Sequence, residues 1–214
     1  MVKVDILGIK VDKVNLQQAL KKVEEFLADS KKHYIVTPNP EMIVLAQKDG
    51  PFGKILNKAD LAIPDGIGLI WASKVLSSAA ISQRVTGIDL MEKICQMAEK
   101  KRLTVGLIGG KGETAKKVVE VLQNKYPKLR LRVFKENDRI VSDVDILFVA
   151  YGAPKQEKWI VKNLPEIGVK VTMGVGGAFE MIAGIQKRAP KWLREAGFEW
   201  FWRLIWQPWS IKRQ

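Results

Sequence analysis

The sequence predicts a Rossmann-like α/β domain, in which helices cover both faces of a mostly parallel sheet, followed by a C-terminal basic, Trp-rich helical appendage. Short apolar stretches alternate with amphipathic helical segments along most of the chain. Strands that are apolar at nearly every position are typical of parallel sheets covered on both faces. The alternation stops near residues 188–190, after which the chain becomes basic and dense in Trp. We therefore expect a Rossmann-like domain at residues 1–190 and an appendage at 191–214.

The first half of the chain predicts strands in alternation with helices. Residues 2–11 alternate apolar and polar side chains, as a half-buried strand does. Asn15 is a helix N-cap residue, and Pro38 and Pro40 end the β-rich run before them. The expected strands cover residues 2–11, 33–37 and 61–64, and the expected helices cover residues 15–28, 41–47, 68–76 and 89–101.

The second half continues the alternation. Its strand candidates are mostly apolar, which favours burial in the centre of a sheet. Glycine-rich turns at residues 109–112 and 174–177 lead into helical segments. The expected strands cover residues 103–108, 129–134, 145–150 and 169–173, and the expected helices cover residues 113–125 and 155–163 and resume after residue 177.

Composition limits the classes of function. The 214 residues include 36 Lys or Arg against 23 Asp or Glu, a formal net charge of +13. This charge favours a polyanionic partner, which is nucleic acid, an anionic membrane or a phosphorylated ligand. One Cys and one His exclude a disulfide framework, a Cys-cluster metal site and a multi-His metal centre. The N-terminus does not resemble a signal peptide and no apolar run is long enough to span a bilayer, so we expect a cytoplasmic protein.

Unusual residues follow several of the predicted strands. In parallel α/β sheets, ligands bind beyond the carboxyl ends of the strands, so these positions are candidates for one site. Asp65 lies in such a turn and has the chemistry of a general base, although Asp-Gly is also a common turn pair. The glycine-rich turns either cradle a phosphate or are ordinary tight turns. Arg84 precedes a helix, where it either contacts a phosphate or is solvated at the surface.

The last part of the chain has a composition of its own. Five of the seven Trp lie in the last 23 residues, and residues 185–214 carry seven Lys or Arg against two Glu, a net charge of +5. Trp beside Lys and Arg is typical of a helix in the interface of an anionic bilayer. The alternative is a core or oligomer helix that buries the Trp side chains against protein. An exposed Trp cluster would also favour a homo-oligomer in water.

Taken together, these segments resemble the WecG/TagA/CpsF glycosyltransferase family. The resemblance extends in collinear order over nearly the whole chain. The blocks at residues 151–159 (Tyr-Gly-Ala-Pro-Lys-Gln-Glu-Lys-Trp) and 174–179 (Gly-Val-Gly-Gly-Ala-Phe) are its most specific part. The other matching stretches are residues 37–40, 64–66, 84–87 with Asp89, 183–184, 188–190, and Gly197 with residues 199–200.

The resemblance implies an enzyme that transfers a sugar, commonly N-acetylmannosamine, from a UDP-sugar to polyprenyl-diphosphate-linked N-acetylglucosamine. Such a reaction serves the synthesis of wall teichoic acid or another surface polysaccharide. The resemblance also implies inversion at the sugar carbon, no cofactor and no metal. Because the acceptor is a lipid, we expect a peripheral protein on the inner face of the plasma membrane that binds the anionic surface through residues 191–214.

The resemblance also implies roles for individual residues. Asp65 matches the family's proposed base, and Thr37 and Asn39 match residues that line the pocket. Arg84 matches a candidate contact to a phosphate or to the acceptor, and Gln156 matches a residue at the nucleotide-sugar site. The remaining candidates for substrate or phosphate binding are Gly152, Gly174, Gly176, Gly177, Arg203 and Arg213.

Two departures from the family pattern affect these expectations. The segment at residues 134–143 is shorter than in typical relatives, which removes part of the expected wall of the nucleotide pocket. Relatives tend to carry Glu-Pro-x-Arg near the end, where this chain has Gln207, Pro208, Trp209 and Ser210. One expected Arg is therefore absent from this stretch.

Two other classes of function fit parts of the sequence. The net charge suggests a nucleic-acid-binding protein, but no nucleic-acid-binding motif or aromatic stacking surface is recognisable outside the appendage. The α/β pattern suggests a nicotinamide-dependent oxidoreductase, but the glycine fingerprint and its acidic ribose partner are missing. We therefore expect no nucleic acid among the partners.

Overall fold

The structure is a computed structural model that describes residues 1–77, 79–136, 138, 143–190, 192–193, 198–199 and 201–202. Its main feature is a six-stranded parallel sheet in the order β4-β3-β8-β7-β5-β6, which confirms the predicted α/β class. The strands are β1 (Lys3–Ile6), β2 (Ile9–Asp12), β3 (His33–Val36), β4 (Leu61–Ala62), β5 (Thr104–Gly109), β6 (Arg130–Phe134), β7 (Ile146–Ala150) and β8 (Val171–Gly174).

Helices cover both faces of this sheet. One face packs against helices α1, α5, α6 and α8, and the other packs against α2, α3, α4, α7 and the N-terminal hairpin. The helices are α1 (Leu16–Ala28), α2 (Pro40–Lys48), α3 (Gly50–Lys58), α4 (Ile67–Leu76), α5 (Gly87–Lys101), α6 (Thr114–Lys125), α7 (Lys155–Asn163) and α8 (Ala178–Ile182). Because both faces are covered, the central strands are buried along their whole length, as their apolar sequences predict.

The N-terminal strand prediction was wrong in one respect. In place of one strand over residues 2–11, residues 3–12 form a two-stranded antiparallel hairpin of β1 and β2. Leu7 and Gly8 both have positive φ, as the central residues of a tight hairpin turn do, and the Asp5 carboxylate accepts the Gly8 N–H. The alternating pattern continues across this turn, so periodicity alone did not reveal it.

Helix α3 was missed by the sequence analysis. The Asp49 side chain caps it by accepting the Phe52 N–H at 3.0 Å, and Pro51 stands in its first turn. Phe52 and Leu56 are fully buried on its inner face. The apolar face is only two turns long, which is short for a periodicity signal.

Part of the C-terminal segment is described. The described residues 192–193, 199 and 201–202 are helical, and the Trp202 indole donates to the Lys187 carbonyl at 3.1 Å. This contact ties the described part of the appendage to the segment that precedes it, while the division at residue 190 stays a prediction. In the part of the chain that the structure describes, no helix combines the length and apolarity needed to cross a membrane.

Candidate active site

The carboxyl ends of the parallel strands bring the predicted site residues to one edge of the sheet. Thr37 and Asn39 follow β3, Asp65 follows β4, Gly152 follows β7, and Gly176 and Gly177 follow β8. Because β4, β3, β8 and β7 are consecutive neighbours in the sheet, these turns are adjacent. The edge divides into a β3–β4 side, which carries charged side chains, and a β7–β8 side, which carries glycine turns.

Asp65 lies at the N-terminus of helix α5. Its backbone N–H donates to the Pro38 carbonyl at 2.9 Å, and its Oδ2 accepts the Gly87 N–H at 3.1 Å. A Cβ on Gly87 would lie 3.2 Å from the Thr37 methyl group and 3.4 Å from Asp65 Oδ2. Glycine at this position therefore lets both side chains approach the start of the helix. The helix dipole and the N–H bond stabilise negative charge on the carboxylate.

The turns after β3 and β4 are packed tightly against one another. Gly66 has a φ of 109°, and a Cβ on Gly68 would lie 2.7 Å from Pro40 Cγ. Asn39 caps helix α2, since its Oδ1 accepts the Met42 N–H at 2.8 Å. The side-chain oxygen of Asn39 therefore stabilises the start of helix α2, so Asn39 would contact a substrate through its NH2 group. This packing fixes Asp65 relative to Thr37 and Asn39.

Arg84 takes part in a cluster of ion pairs, which we call the arginine cluster. Its Nη1 lies 3.3 Å from Oε2 of the buried Glu199, and Oε1 of the same carboxylate lies 3.8 Å from Arg188 Nε. Arg188 also donates to Asp89 Oδ1 at 2.7 Å and to Thr86 Oγ1 at 3.3 Å. Thr86 and Asp89 lie on either side of Gly87, so the cluster adjoins Asp65.

The sequence analysis quoted Arg188 and Glu199 within matching blocks but assigned them no role. Glu199 lies 115 residues from Arg84, and no local pattern relates the two positions. The fold brings them together because the segment after α8 returns to the start of α5. Two positive side chains therefore share one carboxylate beside the candidate base.

Gln156 connects the two glycine turns of the β7–β8 side. Its Oε1 accepts the N–H groups of Gly152 at 3.2 Å and Gly176 at 2.9 Å, and the side chain is buried. A Cβ on Gly174 would lie 2.9 Å from Gln156 Nε2, so glycine is needed there to admit the amide. The Gly152 and Gly176 N–H groups are therefore bound to Gln156, and the buried amide holds the two turns in place.

Glu157 supports the same amide and was missed by the sequence analysis. Its Oε1 accepts from Gln156 Nε2 at 2.7 Å, and the side chain is fully buried. Burial raises the pKa of the Glu157 carboxyl above its ordinary value. We call Gln156 and Glu157 the buried amide pair.

The glycine turn after β5 behaves as a tight turn. The Gly110 N–H donates to the Ala150 carbonyl at 3.0 Å, and a Cβ on Gly109 would lie 2.7 Å from that oxygen. Gly109 thus allows close packing of the ends of β5 and β7. Of the two interpretations of this turn, the contacts of Gly109 and Gly110 favour the structural one. Arg203 and Arg213 lie outside the described residues.

Two comparisons with known proteins found matches over nearly the whole chain. The sequence profile of a family described as "Glycosyl transferase WecG/TagA/CpsF family" matches residues 4–214. Three relatives, from Staphylococcus aureus strains MRSA252, NCTC 8325 / PS 47 and COL, are each named N-acetylglucosaminyldiphosphoundecaprenol N-acetyl-beta-D-mannosaminyltransferase. Each is 32% identical over 215 residues, which cover 95% of this chain and 84% of the relative.

Proposed function

This chain belongs to the WecG/TagA/CpsF family of glycosyltransferases, and we propose that it transfers N-acetylmannosamine from a UDP-sugar to N-acetylglucosamine on a polyprenyl diphosphate. The names of the relatives support the transferred sugar and the lipid-linked acceptor. The UDP leaving group, the inversion and the synthesis of wall teichoic acid or another surface polysaccharide are parts of the proposal. So is a location on the inner face of the plasma membrane.

The position of Asp65 is the single observation that carries the proposed mechanism. Its carboxylate stands at the carboxyl edge of the sheet, held by the Gly87 N–H at the start of α5. In the proposed step, the carboxylate takes the proton of an acceptor hydroxyl while that oxygen attacks the anomeric carbon. The bond between this carbon and the UDP oxygen breaks, and UDP leaves with the bonding electrons. Attack opposite the leaving group inverts the carbon, so one base suffices.

The β7–β8 side supports binding of the donor. Its turns after β7 and β8 are held by Gln156 and present glycine at the surface of the edge. A wall without bulky side chains suits the close approach of a sugar nucleotide. In the proposal, the negative charge that develops on UDP is balanced by arginine side chains, with Arg84 and Arg188 beside Asp65 and with Arg203 and Arg213 from the appendage.

Replacement of Asp65 by Asn tests the proposal. We expect kcat to fall by about 10²-fold or more, because a positioned general base contributes roughly 10²–10⁴-fold. Asn keeps the shape and can still accept the Gly87 N–H, so the affinity for UDP, measured by calorimetry, should not change. The assay uses purified enzyme, UDP-N-acetylmannosamine and a short-chain lipid-diphosphate acceptor.

Asp5→Asn is the matched control. Asp5 also accepts a backbone N–H, from Gly8, but lies in the N-terminal hairpin. Turnover of Asp65→Asn within about tenfold of the unaltered enzyme would remove Asp65 as the base. Binding of NAD without binding of UDP would contradict the proposal that the donor is a UDP-sugar. Loss of activity when divalent metal ions are chelated would contradict a metal-independent mechanism.

A further inference from the structure

Glu157 is a fully buried acid that the proposed reaction does not use. It lies in the first turn of α7, directly after Gln156. Its Oε1 accepts from Gln156 Nε2 at 2.7 Å, whereas its Oε2 has no hydrogen-bond partner in the described part of the chain. Glutamate is almost never fully buried unless it is paired with a positive group, and no charged group contributes to the pKa shift of Glu157. The burial of this acid therefore has a local reason, and its one hydrogen bond points to Gln156.

The surroundings of Glu157 favour a neutral carboxyl group. An ionised carboxylate in the protein interior needs donors for both of its oxygens, and Oε2 is buried without one. Burial also raises the pKa of this carboxyl above its ordinary value. A neutral acid can accept from Gln156 without placing a negative charge beside the glycine turns, where such a charge would repel a diphosphate.

Glu157 completes the hydrogen bonds of a single amide. Gln156 Oε1 accepts the Gly152 N–H at 3.2 Å and the Gly176 N–H at 2.9 Å, while Nε2 donates to Glu157. A half-turn of this amide would place its NH2 group against two N–H donors. The orientation that joins the two turns is therefore the one in which the nitrogen faces Glu157.

Loss of the Glu157 oxygen would leave the Gln156 nitrogen without this acceptor. Gln156 is only 2% exposed, so little water reaches its side chain. Packing closes another side, since a Cβ on Gly174 would lie 2.9 Å from Nε2. An unpaired buried donor is unfavourable, and the amide regains a partner only by moving. The turns after β7 and β8 would then lose the oxygen that joins them.

We propose that Glu157, as a neutral acid, is a positioning residue for the sugar-nucleotide donor: it holds Gln156 on the Gly152 and Gly176 N–H groups and thereby fixes the turns that receive the donor. This inference rests on the proposed function, because only that proposal makes the β7–β8 side the donor side. Glu157 acts through Gln156 and does not touch the donor. A change at Glu157 should therefore alter donor binding.

Binding of UDP to the full chain, measured by calorimetry, tests this role. Glu157→Met keeps the length of the side chain but has no oxygen to accept from Gln156, so we expect UDP to bind at least about tenfold more weakly. A loss of folded protein alone would lower the stoichiometry of binding and leave the affinity of the folded fraction unchanged. Glu157→Gln is neutral and keeps an accepting oxygen, so it should restore the affinity.

Amide hydrogen exchange, followed by NMR, tests the same role without a ligand. In Glu157→Met, the Gly152 and Gly176 N–H groups should exchange at least about tenfold faster than in the unaltered chain. The Gly110 N–H is the internal control, because it donates to the Ala150 carbonyl at 3.0 Å and not to Gln156. Its exchange rate should not change. Glu157→Gln should return the rates of Gly152 and Gly176 to those of the unaltered chain.

Ile160→Ala is the matched control variant. Ile160 lies in the next turn of α7 and is fully buried, and its apolar side chain cannot accept from Gln156. Truncation of this side chain should lower the free energy of unfolding. It should leave the affinity for UDP unchanged, and it should not speed exchange at Gly152 and Gly176 relative to Gly110.

Three results would overturn the inference. They are an unchanged UDP affinity of Glu157→Met, equal acceleration of exchange at Gly110, Gly152 and Gly176 in that variant, and an equal loss of affinity in Ile160→Ala. Failure of Glu157→Gln to restore the affinity would contradict the role of a neutral acid. Absence of UDP binding by the unaltered chain would contradict the proposed function, whereas the exchange rates would still decide whether Glu157 positions the turns.

Discussion

The two sides of the carboxyl edge are built in different ways. On the β3–β4 side, Asp65 and the arginine cluster bring together charged side chains from distant parts of the chain. On the β7–β8 side, the buried amide pair holds glycine turns whose Gly152 and Gly176 lie only 4 and 20 residues from Gln156 in sequence. One side presents charge at the surface, and the other buries its polar groups behind glycine.

This difference indicates a division of tasks. A carboxylate that accepts a proton must be reached by substrate, so Asp65 is held at a helix N-terminus and left half-buried. A wall that receives a donor must keep its shape, and Gln156 provides this by accepting two N–H groups from separate turns. We therefore expect variants of the first side to change chemistry and variants of the second to change shape.

Among the variants that test this difference between the two sides of the edge, we expect the largest effect from Gly174→Ala. The added Cβ would lie 2.9 Å from Gln156 Nε2, and Gln156 cannot withdraw without breaking its bonds to Gly152 and Gly176. Overpacking of this kind costs about 1–3 kcal/mol in the free energy of unfolding. Donor KM should rise more than kcat falls, as denaturant unfolding and steady-state kinetics will show.

Gly50→Ala is the control for this variant, because a Cβ at Gly50 meets nothing within 4 Å. It should leave donor KM unchanged and should leave the unfolding midpoint equal or slightly raised, because Ala at a compatible helical position reduces the entropy of the unfolded chain. If Gly174→Ala behaves in the same way, the turns are not held by Gln156 and the proposed rigidity of the β7–β8 side is wrong.

A smaller effect is expected for Glu199→Gln on the β3–β4 side. The change removes the carboxylate that Arg84 and Arg188 share, and the two guanidinium groups are left to repel one another. Because both are partly exposed, we expect a loss of only about 1 kcal/mol in the free energy of unfolding. The reaction should slow through kcat/KM for the acceptor, and high salt should reduce the difference from the unaltered enzyme.

Glu166→Gln, at an exposed position beyond α7, removes the same charge away from the cluster and is the control. If Glu199→Gln and Glu166→Gln have the same kcat/KM for the acceptor at low salt, the shared carboxylate of the arginine cluster does not contribute to the reaction.

The smallest effect is a change in pH dependence for Glu157→Gln. Burial raises the pKa of the Glu157 carboxyl above its ordinary value of 4.5, so the folded chain retains a proton that the unfolded chain has released. The unaltered protein therefore loses stability as the pH rises from the unfolded pKa through the folded pKa. Gln does not titrate and its oxygen can still accept from Gln156 Nε2.

The variant should consequently gain stability relative to the unaltered protein as the pH rises, with the smallest difference below the unfolded pKa. Urea unfolding at a series of pH values measures this difference. A difference that is constant with pH would show that the Glu157 carboxyl has the same pKa in the folded and the unfolded protein, which would contradict the raised pKa.

The sequence predicted the alternation of the sheet and its covering helices better than it predicted single elements. The buried strands β5, β7 and β8 were located to within two residues at each end. The hairpin turn at Leu7 and Gly8 was missed because the alternating pattern runs through it, and α3 was missed because its apolar face is short. In both cases the local sequence pattern did not mark the element.

The site was predicted unevenly for a related reason. Thr37, Asn39 and Asp65 became candidates because they follow predicted strands and because the resemblance to the family implies roles for them, and the structure brings them to one edge of the sheet. Their roles stay predictions. Glu157 is adjacent to Gln156 in sequence, yet nothing in its type indicates that it is buried. The ion pair between Arg84 and Glu199 could not be predicted, because it forms only when the C-terminal segment returns to the start of α5.

Local physics therefore determined what the sequence alone could establish. Periodicity, capping residues and turn glycines act over a few residues, and they determined the α/β class and the strand ends. The resemblance to a glycosyltransferase family came from sequence blocks, above all those at residues 151–159 and 174–179. Tertiary structure decided which charges meet, which N–H groups bind Gln156, and that Trp71 and Val75 face solvent on α4. These outcomes depend on how each helix face is turned against the sheet, and that choice is made by contacts between residues far apart in the chain.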